Sequence, residues 1–176
     1  MALNQAFRML WEQHVAWTRM LIISIAEGLQ DESAVTERLL QNPSDMAAVF
    51  RHYYGDQIAS RFNQLMREHL LLADQLVKAA KAGDEQAAAD AEKKWYANAD
   101  EIAAFLASIN PYYSESALRN MLYDHLRMTK EEAVLRISKK YPSDIEKYNQ
   151  IEKQALEMAD AFTDGIVKQF PAMFRI

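Results

Sequence analysis

The chain has no cysteine. That absence removes disulfides, thiolate metal sites and cysteine nucleophiles, and it suits a reducing compartment. Glycine and proline are scarce, with four of each in 176 residues. Strand-rich folds need many turns, and turns draw on those two residues, so a sheet protein is excluded. Basic residues are not in excess: the net charge is -5 and the pI about 5.4. Phosphate backbones require a basic face, so nucleic acid is not an expected partner. The densest basic stretch, Arg136 to Lys140, reads as a helix C-terminus, where cations offset the helix dipole. The longest apolar run, Met20 to Ala26, is interrupted by Ser24 and is far too short to span a bilayer. The first residues lack the basic start and apolar core of a signal peptide. No Gly-rich phosphate loop, nucleophile elbow, Ser/His/Asp arrangement or zinc-protease motif is present. These absences predict a soluble, cytoplasmic protein with no membrane partner and no classical kinase, hydrolase or dehydrogenase chemistry.

What remains is helical pattern. Hydrophobic residues make up 50% and charged residues 26%, the balance of an ordinary globular chain. The length predicts one domain over residues 1–176. Apolar residues recur at three- and four-residue steps, the period of a half-buried helix. The first helix is expected over 3–29, with the stripe Leu3, Phe7, Leu10, His14, Trp17, Leu21 and Ile25. A short helix over 33–41 stops at Asn42-Pro43, because the residue before proline avoids the helical region. Ser44 or Asp45 is placed to cap the next helix, which runs to residue 82 with a bend at Gly55. Gly83 ends it and Asp84 caps its successor, which stops at Asn110-Pro111. Ser114 caps a fourth long helix, read as continuous through Thr129 despite the capping-box pattern Thr129-Lys-Glu-Glu132. Tyr141-Pro142 interrupts, and a last helix runs from Pro142 or Ser143 to Pro171. No internal repeat or interdomain linker is apparent. The expectation is an all-α, antiparallel up-and-down bundle of four to five helices.

The marked residues are histidines. His14, His69 and His125 sit near the middle of three different helices, each on the apolar stripe. Counting from the turns at about 1.5 Å per residue places them at one height, together with Asn98. For His14 this assumes that the start of the first helix lies beside the Gly83 turn. Neutral imidazole is the commonest metal ligand and suits Zn, Fe, Cu or Ni, so the layer predicts one transition-metal ion (Fe, Zn, Cu, Ni or Mn) on His14, His69 and His125. Glu152 or a water is expected to complete the shell, with Glu157 and Asp160 beside Glu152 and Asn98 as a supporting group or weak ligand. Thr18 and Thr129, one turn beyond two of the histidines, are candidates to orient a ring or a water. The competing reading is a polar layer that only fixes helix register in a protein-association scaffold. A homodimer is compatible with either, and a small-molecule ligand is left open.

Other residues read more plainly. Arg19, Glu37, Arg38, Asp45 and Arg51 are expected to form caps and surface ion pairs around the short helix, with His52 exposed nearby. Trp17 and Trp95 flank the central layer. Tyr112 and Tyr113 read as an end plug, and the tail from Phe170 to Phe174 as a docking segment. Three stretches also carry a resemblance: Leu10-Trp-Glu-Gln-His14-Val-Ala-Trp-Thr-Arg19, Trp95-Tyr-Ala-Asn-Ala-Asp100 with Asn110-Pro-Tyr112, and Leu122-Tyr-Asp-His125-Leu. In these the chain resembles small uncharacterised bacterial helical proteins of Firmicute type. The resemblance implies a helical fold and supplies no catalytic residues. The architecture is also similar to ferritin-like and hemerythrin-like bundles, although the Glu-x-x-His pairs of di-iron proteins are absent.

Overall fold

The computed structural model describes residues 2–174. Six helices follow one another: α1 (Ala2–Glu27), α2 (Glu32–Leu39), α3 (Asn42–Ala82), α4 (Glu85–Ile109), α5 (Glu115–Ile137) and α6 (Tyr141–Gln169). A short 3-10 turn, Pro171–Phe174, closes the described chain. Five helices are long, and α2 is a short piece packed on α1. Antiparallel neighbours are α3 and α4, α4 and α5, α5 and α6, and α6 and α1. No strand occurs among the described residues. No described helix is long and apolar enough to cross a membrane.

The local signals act as their chemistry requires. Gly83 takes a left-handed conformation (φ 72°) that ends α3, and Asp84 caps α4 by accepting from the Ala87 N–H at 2.9 Å. The Ser114 hydroxyl accepts from the Ala117 N–H and opens α5, which is continuous through Thr129. At Asn42-Pro43 the helix begins on the asparagine itself, earlier than the Ser44 or Asp45 cap predicts. Pro43 lies in the first turn, where its missing N–H costs nothing.

Gly55 does more than bend α3. Its φ of 80° and ψ of 178° are open to glycine and strained for any other residue. Asn42 bonds His14, and the His14 ring lies 6.2 Å from the His69 ring. Along a straight helix Asn42 and His69 would be about 40 Å apart. The two arms of α3 therefore fold back on each other as a hairpin, with Phe50 stacked on Phe62 at 4.2 Å. This fold-back corrects one expectation. The start of α1 lies by the Gly55 hairpin, with Phe7 among Phe50 and Phe162. Its end meets the Gly83 turn, where the Lys81 ammonium donates to the Ala26 carbonyl. The layer survives the reversal because His14 stands near the middle of α1, and the midpoint is the same from either end.

The hairpin also exposes a repeat that the sequence alone did not disclose. The first unit is α1 with α2 and the first arm of α3. The second is the later arm of α3 with α4, and the third is α5 with α6. His14, His69 and His125 are 55 and 56 residues apart, and so are the left-handed turn residues Gly28, Gly83 and Lys139. Buried Met46, Ile102 and Met158 recur 56 residues apart, as do Phe50, Leu106 and Phe162. Few identities mark the units, because only residue size and polarity have to match at a packed position.

One pole is sealed by Tyr113, whose hydroxyl donates to the Phe162 carbonyl at 2.6 Å. Tyr112 beside it is exposed, so half of the expected plug is buried. Phe170 and Phe174 of the tail pack on Tyr53 and Tyr54, on the chain's own body. Gly165 lets the Tyr113 ring approach, since a Cβ there would overlap the ring. Gly165→Ala should lower stability by about 2 kcal/mol, the usual cost of overpacking a filled site. Urea denaturation of the variant checks this; an unchanged midpoint would show that the ring has room to shift.

Candidate metal centre

The three histidines of the sequence layer converge. His14, His69 and His125 are each at most 3% exposed. One nitrogen from each lies within 4.8 Å of the others. Among the described residues they are the one group of three or more His, Cys, Asp or Glu side chains so arranged. The rings of His14 and His125 are 5.8 Å apart.

Each imidazole is held by the same clamp. His14 Nδ1 lies 3.0 Å from Asn42 Oδ1, and the Asn42 amide donates to the Leu10 carbonyl at 2.9 Å. His69 Nδ1 lies 3.1 Å from Asn98 Oδ1, and the Asn98 amide donates to the Leu65 carbonyl at 3.1 Å. His125 Nδ1 lies 3.0 Å from Gln154 Oε1, and the Gln154 amide donates to the Met121 carbonyl at 2.9 Å. In each unit the carbonyl belongs to the residue four before the histidine. It also fixes the amide: a carbonyl only accepts, so the NH2 faces it and the amide oxygen faces the ring. An amide oxygen only accepts as well, so Nδ1 must carry the proton. The lone pair of every ring is thereby placed on Nε2. Because the Nδ1 atoms point outward to the amides, the nitrogens that converge are the three Nε2.

Electrostatics keeps the rings neutral. Burial lowers the His14 pKa to about 3, with His125 as a second cause, and lowers His125 to about 4. Burial and the two neighbouring imidazoles hold His69 well below the usual histidine range. Trp11 packs on His14 at 5.1 Å and on His125 at 6.2 Å, and Trp95 on His69 at 5.4 Å.

The remaining predicted residues divide. Asn98 supports His69 through its ring Nδ1. Thr18 and Thr129 donate to the backbone carbonyls of His14 and His125 and touch neither ring nitrogen. Glu152 is half-buried beside Glu12, outside the convergent group; burial and the Glu152 carboxyl raise the Glu12 pKa. Asp160 accepts from Asn4 and Arg8 at the α1–α6 seam, and Glu157 is exposed. The residue that α6 brings to the layer is Gln154, and the α3 residue is Asn42. Sequence reasoning passed over both, reading Asn42 as a helix stop. Their regular spacing from the histidines, 28 and 29 residues, was the available signal.

A second buried polar group lies above the layer. Arg19 donates to Glu132 at 2.5 Å and to both oxygens of Asp144, at 2.7 and 3.2 Å. Glu132 and Asp144 are almost fully buried. Burial pushes the Glu132 pKa up to about 7, against the opposing pull of Arg19. Arg19 was expected in a surface corner; it is instead the centre of an interior ion network, its guanidinium 4.9 Å over the Tyr148 ring.

Comparison with family models, curated proteins and solved structures finds no match to this chain. The fold and the centre therefore stand on their own geometry: an all-helical bundle with a buried triad of histidines able to hold a metal ion.

Proposed function

We propose that the protein binds one transition-metal ion through Nε2 of His14, His69 and His125, with water at a fourth position. The observation that carries this is the clamp. Three amides fix three Nδ1–H tautomers, so each ring's lone pair is left on Nε2, and one nitrogen from each ring lies within 4.8 Å of the other two. A layer built only to set register would pair such buried acceptors with donors. A cation satisfies all three at once. Ligation at about 2.0–2.1 Å needs Nε2 atoms about 3.3 Å apart, a small closure from the present spacing. The amides correspond to the partners that commonly hold metal-bound histidines in one tautomer and orientation. Neutral nitrogen ligands suit Zn, Fe, Cu or Ni, and Mn prefers oxygen. Such an ion, with one exchangeable position, suits metal sensing or modest redox work.

The test is elemental analysis of protein purified without a histidine tag or chelator, beside His69→Ala. Wild type should carry close to one equivalent or take it up on addition of the ion. The variant should bind at least about a hundredfold more weakly and keep its helical circular dichroism. If wild type holds none of the five metals and takes up none, the ion-binding reading is wrong. The histidine layer then serves packing, and a scaffold for protein association replaces the metal site.

A further inference from the structure

We infer that the fourth position on this ion takes a small anion and that the Trp95 indole N–H donates to it. The inference rests on the three-histidine reading and adds a ligand class and a residue to it.

Charge is the first reason. The three ligands are neutral, and no carboxylate belongs to the group. A divalent ion there would keep its full charge inside the core, where uncompensated charge is costly. An anionic ligand offsets it.

An unused donor is the second. Trp95 is 2% exposed, and its Nε1 is buried without a hydrogen-bond partner. Buried donors are rarely left unpaired, and those that are call for a specific explanation. This donor belongs to the ring that packs on His69. Trp11 Nε1 is also buried and unpaired, but Trp11 does not line the cavity beside Trp95.

Space is the third. A narrow cavity of about 20 Å³ is lined by Thr18, Ala73, Thr129 and Trp95, by Asp74 and Lys130, which pair with Lys78 and Glu92, and by apolar neighbours. Thr18, Ala73 and Thr129 each stand four residues after one of the histidines. Helical side chains lean towards the N-terminus, so these three roof the imidazole layer. The room suits one water-sized molecule. The two threonine hydroxyls are already spent on backbone carbonyls. The indole N–H is therefore the donor left for a ligand rising from the ion. With its coordinating atom on the ion and only its outer atoms in this space, an anion from hydroxide to a linear triatomic fits; a larger oxyanion does not.

Cobalt(II)-loaded protein titrated with sodium azide tests the inference, because the visible bands of cobalt report its coordination. Wild type should show a saturable spectral change. Trp95→Phe keeps a ring against His69 and deletes the N–H. It should hold one cobalt yet bind azide roughly tenfold more weakly. Trp11→Phe, on the phenylalanine side of the layer, should stay within about threefold of wild type. Ala73→Val narrows the cavity without touching the indole and should also weaken azide. Should wild type fail to bind cobalt, the three-histidine reading itself fails. Should cobalt bind while azide leaves its spectrum unchanged, or while Trp95→Phe binds azide as wild type does, the anion inference falls and the metal site stands.

Discussion

Replacing Arg19 with methionine should destabilise the protein by about 3 kcal/mol or more, the largest stability loss expected from any single substitution considered. The guanidinium is the shared partner of two carboxylates from two other helices, Glu132 on α5 and Asp144 on α6. Asp144 is fully buried, and its second basic neighbour, Arg136, stands at 3.5 Å. Without Arg19 both carboxylates lose their main compensation, and burying an unpaired charge costs more than a surface ion pair ever contributes. Glu132 has a way out. Its pKa is already raised to about 7, so it can take up a proton. The destabilisation should therefore be smaller at pH 5 than at pH 8, since in the variant protonation removes a buried charge at the lower pH. Chemical denaturation of wild type and Arg19→Met at the two pH values checks both the size and the sign. A difference under about 1 kcal/mol at pH 8 would mean that water enters the site and solvates the acids.

Much of the bundle was legible in the sequence because helices advertise themselves locally. Gly83, Asp84, Ser114 and the proline breaks act through their own backbone and their nearest neighbours, so composition at a few positions suffices. The three histidines were legible for the same reason: periodicity assigns them to a buried face, and counting gives their height. What the sequence hid was pairing across helices. Glu152 and Gln154 are two residues apart on α6, so they project about 160° apart around the helix. A counting error of two residues exchanges one for the other, and only packing decides which side faces α5. The Gly55 hairpin was hidden differently. A glycine within a helical pattern signals a bend at most, and a reversal depends on Phe50 and Phe62 finding each other across it. The Arg19 network joins residues 113 and 125 positions apart, beyond any local signal. The threefold repeat was masked because its units share burial and polarity rather than identity.

The second large effect concerns the clamps, and it separates their role in folding from their role in binding. Asn98→Leu preserves side-chain size and removes both hydrogen bonds of the middle clamp. The apo protein should lose about 2 kcal/mol, chiefly because the buried His69 Nδ1–H is left without an acceptor. The Leu65 carbonyl matters less, since it still accepts within its own helix. Metal affinity should fall by a further 10–100-fold, the range seen when groups that orient metal-bound histidines are removed. The reason lies in the tautomer. Freed from the amide, His69 has no cause to keep its proton on Nδ1, and an Nε2–H ring offers the ion no lone pair. Urea denaturation of the apo protein gives the first quantity, and competition with a chelator of known affinity gives the second. Asn42→Leu and Gln154→Leu should behave alike, because the same clamp recurs in all three units. If all three variants lose stability and bind metal as wild type does, the clamps are packing devices and the tautomer argument fails. If affinity falls in each, the amides hold three donor nitrogens ready for one ion, and the recurrence of the clamp at 56-residue intervals reflects a site assembled from three copies of one hairpin.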